Sequence, residues 1–400
     1  MLESKYKLYT IQMEMYDIIH GNILIDPLAK RIIDTEEFQR LRSIKQLGCC
    51  NYVFPSATHT RFEHSIGVYH LACKYIDILN QEQEYYNFTE SKCVKIAALI
   101  HDLGHGPYSH LFDELFDKEK HHEYRSIQIF KYMDKKYNFG FTEQEVEMIA
   151  MMIRPDKDIP LDKKYLYQIV SNPNGIDVDR FDYIMRDIKM TGLNYGIEYE
   201  RIMNHSKITD NEIVFSEKVK TNIDDFFRIR FIMHKEIYNH RTVRGIEFMM
   251  KEYIRTFDEV FNISDAIKTD NWRVFIRLND GMINLSFMKK DLINQEKVEK
   301  SKELDQIIEN IQRRRIYKSV GEIITDSKIV IDGYDKNKLI VDTVKISYNG
   351  SEKCKYVRER NSINKSLMIE NNTKYVTSVY HKTENDKTDA ESLFERLKMI

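Results

Sequence analysis

The chain has 400 residues, of which 42% are hydrophobic and 31% are charged, and its formal net charge is -2. These values are ordinary for a globular protein with a sizeable core, and the length predicts one large domain with a smaller one beside it. The near-neutral charge argues against a protein that coats nucleic acid or a membrane through its overall charge.

The first seven residues lack the apolar core of a signal peptide, and no apolar run reaches the length that a membrane-spanning helix needs. The five cysteines include no C-x-x-C pair, and their odd number does not suggest a disulfide framework. We therefore predict a soluble protein of a reducing intracellular compartment, the cytoplasm or the nucleus, with no membrane partner.

The first predicted helix begins near Asp26-Pro27 and continues until Gly48, because apolar residues recur along it at steps of three to five. A short extended segment is predicted at residues 52–55, where Pro55 ends it.

A second amphipathic pattern covers residues 59–79 and predicts a helix. Arg61 and His64 are three residues apart on it and so occupy neighbouring surface positions. One of them could hold a metal while the other binds a phosphate. Taken singly, Arg61 would be a surface arginine and His64 a hydrogen-bonded core histidine.

The most informative stretch is residues 97–110, where an apolar run ends on His101 and Asp102 and is followed by His105 and His110. Burying an imidazole and a carboxylate beside such a run costs several kcal/mol unless they are paired, and a divalent metal is the usual partner. The structural alternative is a helix cap followed by a turn. Eight of the 13 histidines lie between residues 59 and 122, which favours a site.

Helical patterns continue over residues 121–152, with a weak break at residues 138–140. Beyond a loop, Asp177 is a suitable N-cap for a further helix that carries four carboxylates within eleven residues. Because these charges would repel one another, a cation or basic ligand is expected near them. One aspartate of this helix would complete a set with two nitrogen and two oxygen donors, which suits Fe, Mn, Zn, Co or Ni.

A short strand with a basic end is predicted at residues 211–223, followed by a long helix from about residue 223 to 257. The chain stays mostly helical to about residue 318. After Gly321, alternating runs predict strands at residues 328–331, 339–344 and 375–380. We therefore expect a mainly α protein, with a helical domain over residues 1–320 and a smaller α+β C-terminal lobe over residues 321–400.

The order of these motifs resembles a known family. His64, the His101-Asp102 pair and a distant Asp179 match the H…HD…D pattern of HD-domain phosphohydrolases. The runs at residues 38–42, 44–48, 61–65, 101–107 and 175–179 are similar to those of dNTP triphosphohydrolases that carry a sterile-alpha-motif domain ahead of the HD domain. The resemblance extends from about Asp17 to Lys382, and we expect the sterile-alpha-motif domain itself to be absent.

This resemblance implies an HD-domain helical core that hydrolyses a deoxynucleoside triphosphate to the deoxynucleoside and inorganic triphosphate. The implied ligands of a divalent transition metal are His64, His101, Asp102 and Asp179, and Mg²⁺ would accompany the nucleotide phosphates. The implied catalytic group consists of Arg61 on the phosphates, His110 as general acid for the leaving 5′ oxygen, and His105, Asp113 and His122 in support.

The resemblance also implies a set of substrate contacts. Gln46 and Asp187 would meet the sugar 3′ hydroxyl, and Leu47 and Tyr238 would crowd the 2′ position and so exclude ribonucleotides. The triphosphate and base would contact Arg180, Tyr183 and Arg230. Asn239 stands where the family has a glutamine.

Family members of this kind are activated by nucleotides bound between the subunits of a homo-tetramer, a dimer of dimers. The resemblance therefore implies GTP or dNTP activators at Asp34, Gln39, Arg42, Arg201, Lys218, Lys220, Arg314 and Lys318. Two expected contacts differ, since Met13 replaces a lysine and Tyr16 an asparagine.

Two alternatives remain at the level of sequence. The first is an HD phosphodiesterase or nuclease, which the near-neutral charge and the complete set of pocket residues disfavour. The second is a catalytically silent nucleotide-binding or interaction module, which the complete set of metal ligands disfavours.

Overall fold

Helices dominate the computed structural model, which describes residues 13–81, 83–116, 120–155, 160–282, 295–348, 350, 353–357, 363–364 and 373–399. The α-helices are α1 (Pro27–Ile33), α2 (Glu36–Gln39), α3 (Arg61–Leu79), α4 (Phe88–Ile100), α5 (His110–Asp113), α6 (His122–Tyr137), α7 (Glu143–Ile153), α8 (Val178–Thr191), α9 (Tyr199–Asn204), α10 (Lys220–Met233), α11 (Arg241–Phe261), α12 (Ser264–Lys268), α13 (Trp272–Phe275), α14 (Gln295–Gln312) and α15 (Lys387–Leu397). The prediction of a mainly α protein is confirmed.

The strands form three small sheets. A hairpin joins β1 (Met13–Asp17) to β2 (Gly21–Ile25). A second sheet has the order β3 (Ser206–Thr209), β4 (Glu212–Ser216), β7 (Tyr356–Val357) and β8 (Ile363–Asn364). The third is antiparallel, with β9 (Thr373–His381) between β5 (Lys318–Thr325) and β6 (Leu339–Ser347).

Two long predicted elements are interrupted. The first predicted helix is split into α1, α2 and a 3-10 turn at Arg40–Ser43, because Thr35 adopts an extended backbone and its hydroxyl caps α2. The predicted helix over residues 223–257 is α10, a π-helical turn at His234–Tyr238 and α11. The chain breaks there because Asn239 leaves helical geometry and its side chain donates to the His234 carbonyl.

Other predictions fare unevenly. The helix at residues 59–79 is confirmed as α3, and Asp177 caps α8 as expected. The prediction of an extended segment at residues 52–55 is wrong, because the chain turns there after a 3-10 helix at Cys50–Tyr52. Residues 328–331 form no strand, whereas the other two C-terminal strands are present as β6 and β9.

Helices α3, α4 and α8 pack around a shared core, and this packing sets the position of the site. Gly67 allows α3 to lie close to α8, since a Cβ there would be 1.9 Å from Asp182 Oδ1. Gly104 allows a similarly close approach after α4, where a Cβ would be 2.1 Å from the His122 carbonyl oxygen.

The C-terminal segment contributes to two apolar clusters. Strand β7 pairs with β4 in parallel, and Cys354 and Tyr356 are buried in the main core. Sheet β5-β9-β6 and α15 enclose a separate small apolar cluster that includes Val379 and Leu393. None of the described helices combines the length and apolar character required to cross a membrane.

Candidate active site

Four predicted metal ligands converge where α3, α4 and α8 meet. His64 lies near the start of α3, His101 ends α4, Asp102 follows it, and Asp179 is in the first turn of α8. His64 Nε2 is 3.2 Å from His101 Nε2 and 3.0 Å from Asp179 Oδ1. Each Asp102 oxygen is 3.5 Å from one of the two Nε2 atoms. His101 and Asp102 do lie at a helix end and in the turn after it, as the structural alternative predicted. Their side chains nevertheless face the same centre as His64 and Asp179.

The outer hydrogen bonds determine which histidine nitrogen faces this centre. His64 Nδ1 donates to Asp182 Oδ2 at 2.8 Å, and His101 Nδ1 donates to the Ala98 carbonyl at 2.8 Å. Because a carboxylate and a carbonyl only accept, both rings carry a hydrogen on Nδ1, and Nε2 is the nitrogen that faces the centre. Two imidazole nitrogens and two carboxylates around one point fit a divalent metal, which would replace the proton on Nε2.

The electrostatics agree with this assignment. Burial by itself lowers the pKa of His64, but the hydrogen bonds to Asp179 and Asp182 raise it to about 10. Burial raises the pKa of Asp179, yet the two histidines outweigh it and hold that pKa well below the usual range. The centre therefore favours ionised carboxylates around a positive charge.

Arg61 links the metal centre to the adjoining cavity. Its NH1 donates to Asp102 Oδ2 at 2.7 Å, its Nε to Ser109 Oγ at 3.1 Å, and its NH2 to the Gln46 carbonyl at 3.2 Å. Burial opposes the ionised form of Asp102, but Arg61 and then His101 and His105 keep its pKa well below the usual range. Arg61 is thus fixed with its guanidinium at the cavity wall.

A second cluster consists of the predicted catalytic histidines and Asp113. The His105 and His122 rings stack with their centroids 3.9 Å apart, and the centroid of the His110 ring lies 5.0 Å from that of His105. His122 Nδ1 donates to Asp113 Oδ2 at 2.7 Å, and Arg125 also donates to Asp113. His105 is fully buried, whereas the His110 side chain is 69% exposed and faces the cavity.

A cavity of about 580 Å³ joins the two clusters, a size typical of small-molecule sites. The predicted substrate residues all line it: Gln46, Leu47, Arg61, Arg180, Tyr183, Asp187, Arg230, Tyr238 and Asn239. So do His101, Asp102 and Asp179 of the metal centre. The structure therefore brings the predicted catalytic, metal and substrate positions into one place.

One face of α8 presents Asp179, Tyr183 and Asp187 to this cavity. Asp187 accepts hydrogen bonds from His59 Nε2 and from the Tyr238 hydroxyl, both at 2.7 Å. Arg186 does not share this face, although the helical steps of four and three from Asp179 through Tyr183 would place it there. It lies behind the site, because Asp182 and Asp17 hold it there.

Basic side chains of the protein offset most of the repulsion among the carboxylates of helix α8. Asp177 pairs with Arg180, and Asp182 is bonded to Arg186, His20 and His64. The sequence reasoning missed His20, His59 and the role of Asp182. The closely spaced carboxylates were the only available signal, and they do not identify distant partners.

Strand β6 contributes a wall of the cavity that sequence reasoning also missed. Val344 and Lys345 line the cavity, and Arg230 NH1 donates to the Ser347 carbonyl at 3.0 Å. Because β6 is at the sheet edge, its unpaired carbonyls remain available to the helical core.

The predicted activator residues lie outside this cavity. Asp34 and Arg42 are exposed, and Arg42 Nε donates to Gln39 Oε1 at 2.8 Å, so these positions form one surface patch. On another part of the chain, Arg201 Nε donates to Asn222 Oδ1 at 3.3 Å, next to the segment with Lys218 and Lys220. Arg314 and Lys318 are exposed, and Lys318 pairs with Glu384.

Comparisons with known proteins agree on one family. Residues 61–187 match the model described as "HD domain". The chain is 36% identical over 360 residues to a deoxynucleoside triphosphate triphosphohydrolase SAMHD1 homolog of Dictyostelium discoideum, covering 84% of this chain and 68% of that protein. An HD domain-containing protein of Acanthamoeba polyphaga mimivirus is 38% identical over 337 residues, covering 76% and 72%. Mouse deoxynucleoside triphosphate triphosphohydrolase SAMHD1 is 35% identical over 360 residues, covering 76% of this chain and 53% of the mouse protein.

Proposed function

This chain belongs to the HD-domain family and to its SAMHD1-type group, and on that premise we propose that it hydrolyses a deoxynucleoside triphosphate to the deoxynucleoside and inorganic triphosphate. The observation that carries the proposal is the single cavity in which Asp102 and Asp179 lie with the cationic side chains Arg61, Arg180 and Arg230. Arginines match phosphate geometry, and ionised carboxylates beside histidines bind the metal that phosphate chemistry uses.

The HD domain has a divalent metal site, and His64, His101 and Asp179 form a cluster that could hold the ion. Asp102, 3.5 Å from both histidine Nε2 atoms, would be the fourth ligand. The two nitrogen and two oxygen donors suit Fe, Mn, Zn, Co or Ni, while Mg²⁺ would accompany the nucleotide phosphates. A divalent ion there supplies polarisation of a phosphoryl oxygen and a more acidic water.

The protein's own groups supply the remaining steps. Arg61 binds the phosphates from the position that Asp102 and Ser109 fix. The oxygen of water bonds to the α-phosphorus as the bond from that phosphorus to the 5′ oxygen breaks, and His110 gives its proton to the 5′ oxygen. The proton that the water loses passes to solvent, and His110 is reprotonated from solvent after each turnover. Asp113, through its hydrogen bond to His122, supports the histidine cluster around His110.

Recognition of the sugar depends on polar groups of the cavity wall, chiefly Asp187 and Gln46. Asp187 retains acceptor capacity for the 3′ hydroxyl beyond the bonds from His59 and Tyr238. Gln46 Oε1 is buried and has no hydrogen-bond partner among the described residues, so it suits a hydroxyl donor. Leu47 and Tyr238 would crowd a 2′ hydroxyl and disfavour ribonucleotides.

We also propose that GTP or dNTP activators bind between subunits of a homo-tetramer, a dimer of dimers. The exposed contact between Gln39 and Arg42, close to Asp34, supports a guanine-binding patch. Basic residues from distant segments would supply phosphate contacts there or at a neighbouring site: the exposed Arg201, Lys218, Arg314 and Lys318, and the partly buried Lys220. Tyr16, where the resemblance implies an asparagine that contacts activator phosphates, is 84% exposed.

Asp179→Asn tests the assignment, because it keeps the shape of the side chain and removes one charged ligand. We expect the variant to lose bound metal and to lose turnover of dNTPs, measured by elemental analysis and by release of deoxynucleoside. Asp225→Asn is the matched control, since Asp225 is exposed on α10 and lies outside the cavity. Full metal content and full turnover in Asp179→Asn would refute the site.

A further inference from the structure

We propose that His20, in the turn of the β1–β2 hairpin, is a positioning residue that orients the metal ligand His64 through the carboxylate of Asp182. The inference rests on the metal site of the proposed function. His20 would support that site from outside the residues that match the HD domain, 61–187.

The hairpin turn is built to present His20 inward. Asp17 Oδ1 accepts the backbone N–H groups of Ile19 and His20 at 2.8 and 3.0 Å, and Gly21 closes the turn with a φ of +68°. The His20 side chain is only 1% exposed. Its ring packs against His70 at 5.2 Å.

The Asp182 carboxylate joins His20 to the metal centre. Its Oδ1 accepts from His20 Nε2 at 2.7 Å and its Oδ2 accepts from His64 Nδ1 at 2.8 Å. Arg186 adds two further donors, Nε to Oδ2 and NH2 to Oδ1, each at 2.9 Å. Among the described residues, the side chains that contact this fully buried carboxylate are all donors, so Asp182 stays ionised, and four hydrogen bonds from three side chains fix its orientation.

The hairpin holds Asp182 by two routes. His20 contacts it directly, and Asp17 grips the opposite side of Arg186, with distances of 2.7 and 3.2 Å to NH1 and NH2. Because Asp182 determines which His64 nitrogen carries hydrogen, any change in its position alters the inward Nε2 lone pair. Loss of such an outer partner typically weakens metal affinity by about 10- to 100-fold.

The test is the metal affinity of purified full-length variants, measured with Mn²⁺ by competition against a chelator, together with the melting temperature. His20→Phe keeps an aromatic ring in the packing but removes the donor to Asp182. We expect about a 10- to 100-fold weaker affinity, a kcat for dNTP that excess Mn²⁺ restores, and an unchanged KM. His20→Gln replaces the donor at similar reach and should recover most of the affinity.

His70→Phe is the matched control, because this ring packs on His20 but makes no hydrogen bond to Asp182 in the described part of the chain. Wild-type affinity in His20→Phe, or an equal loss in His70→Phe, would overturn the inference while leaving the metal site intact. Failure of the wild-type protein to bind Mn²⁺ would overturn the metal site and the inference together.

Discussion

The histidines of this site divide into two chemical groups according to what their neighbours accept or donate. His64 and His101 are held by acceptors at Nδ1 and turn Nε2 to the metal centre. His110 instead faces the open cavity, beside Arg61 and His122. The first pair suits ligation and the third suits proton transfer, although all three are histidines within the same stretch of sequence.

The proposed role of His110 as general acid predicts a measurable pH dependence. Desolvation by the cavity walls, followed by the charges of Arg61 and His122, lowers the pKa of His110 below the usual value of a histidine. Because the side chain is 69% exposed, the two neighbouring cations are the part of this effect that the geometry supports best. The protonated fraction falls as pH rises, so kcat/KM of the wild-type protein should fall with rising pH above that pKa. His110→Asn should lower kcat by about 100- to 10,000-fold, leave dNTP binding nearly unchanged and remove this slope. An unaltered kcat, or the same slope in the variant, would exclude His110 as the acid.

Single site residues can be predicted from the sequence where they belong to a short motif. His64, the His101-Asp102 pair and an aspartate of the 177–187 helix indicate a metal from their residue types, and the family resemblance then implies Asp179 as that aspartate. His20 and His59 carry no such signal, because their partners are 162 and 128 positions away in the chain. Only the packing of α8 against α3 and the hairpin brings them together.

At the scale of the element, the close packing of α3 on α8 determines the site. Gly67→Ala tests this directly, because the added Cβ would lie 1.9 Å from Asp182 Oδ1 and 2.6 Å from Arg186 NH2. Asp182 is held by four donors and cannot move without breaking them. We expect a loss of about 1–3 kcal/mol in the free energy of unfolding, measured by denaturant titration, and weaker metal binding.

Gly196→Ala is the control for this substitution, because nothing lies within 4 Å of a Cβ at Gly196. Unfolding free energy and metal affinity at wild-type values in Gly67→Ala would contradict the packing argument.

Periodicity predicts the existence of helices better than their ends. The pattern at residues 59–79 gives α3 closely, since an apolar stripe and a capping pair at Thr60 and Glu63 agree. The pattern after residue 26 conceals the break at Thr35, because the apolar spacing continues across it. The pattern at residues 223–257 likewise conceals the π-helical turn that places Tyr238 and Asn239 on the cavity.

At the scale of the whole molecule, the cavity is assembled from distant parts of the chain. Strand β6 closes one wall, and the bond from Arg230 to Ser347 spans 117 positions. Composition predicts an ordinary globular protein, and the alternating apolar and polar residues after Gly321 predict strands. Neither feature indicates that those strands reach the substrate cavity. The placement of β6 depends on edge-strand carbonyls and on Arg244 pairing with Asp342, which no local pattern reveals.

The central claim is the bond that is cleaved, and product analysis tests it most directly. Metal-loaded wild-type protein is incubated with each of the four dNTPs, with and without GTP, and the products are separated and quantified. We expect deoxynucleoside and inorganic triphosphate in equal amounts, with rates that GTP increases if the patch at Asp34, Gln39 and Arg42 binds an activator. Release of deoxynucleoside monophosphate and pyrophosphate, or nucleotide binding without any turnover, would contradict the account.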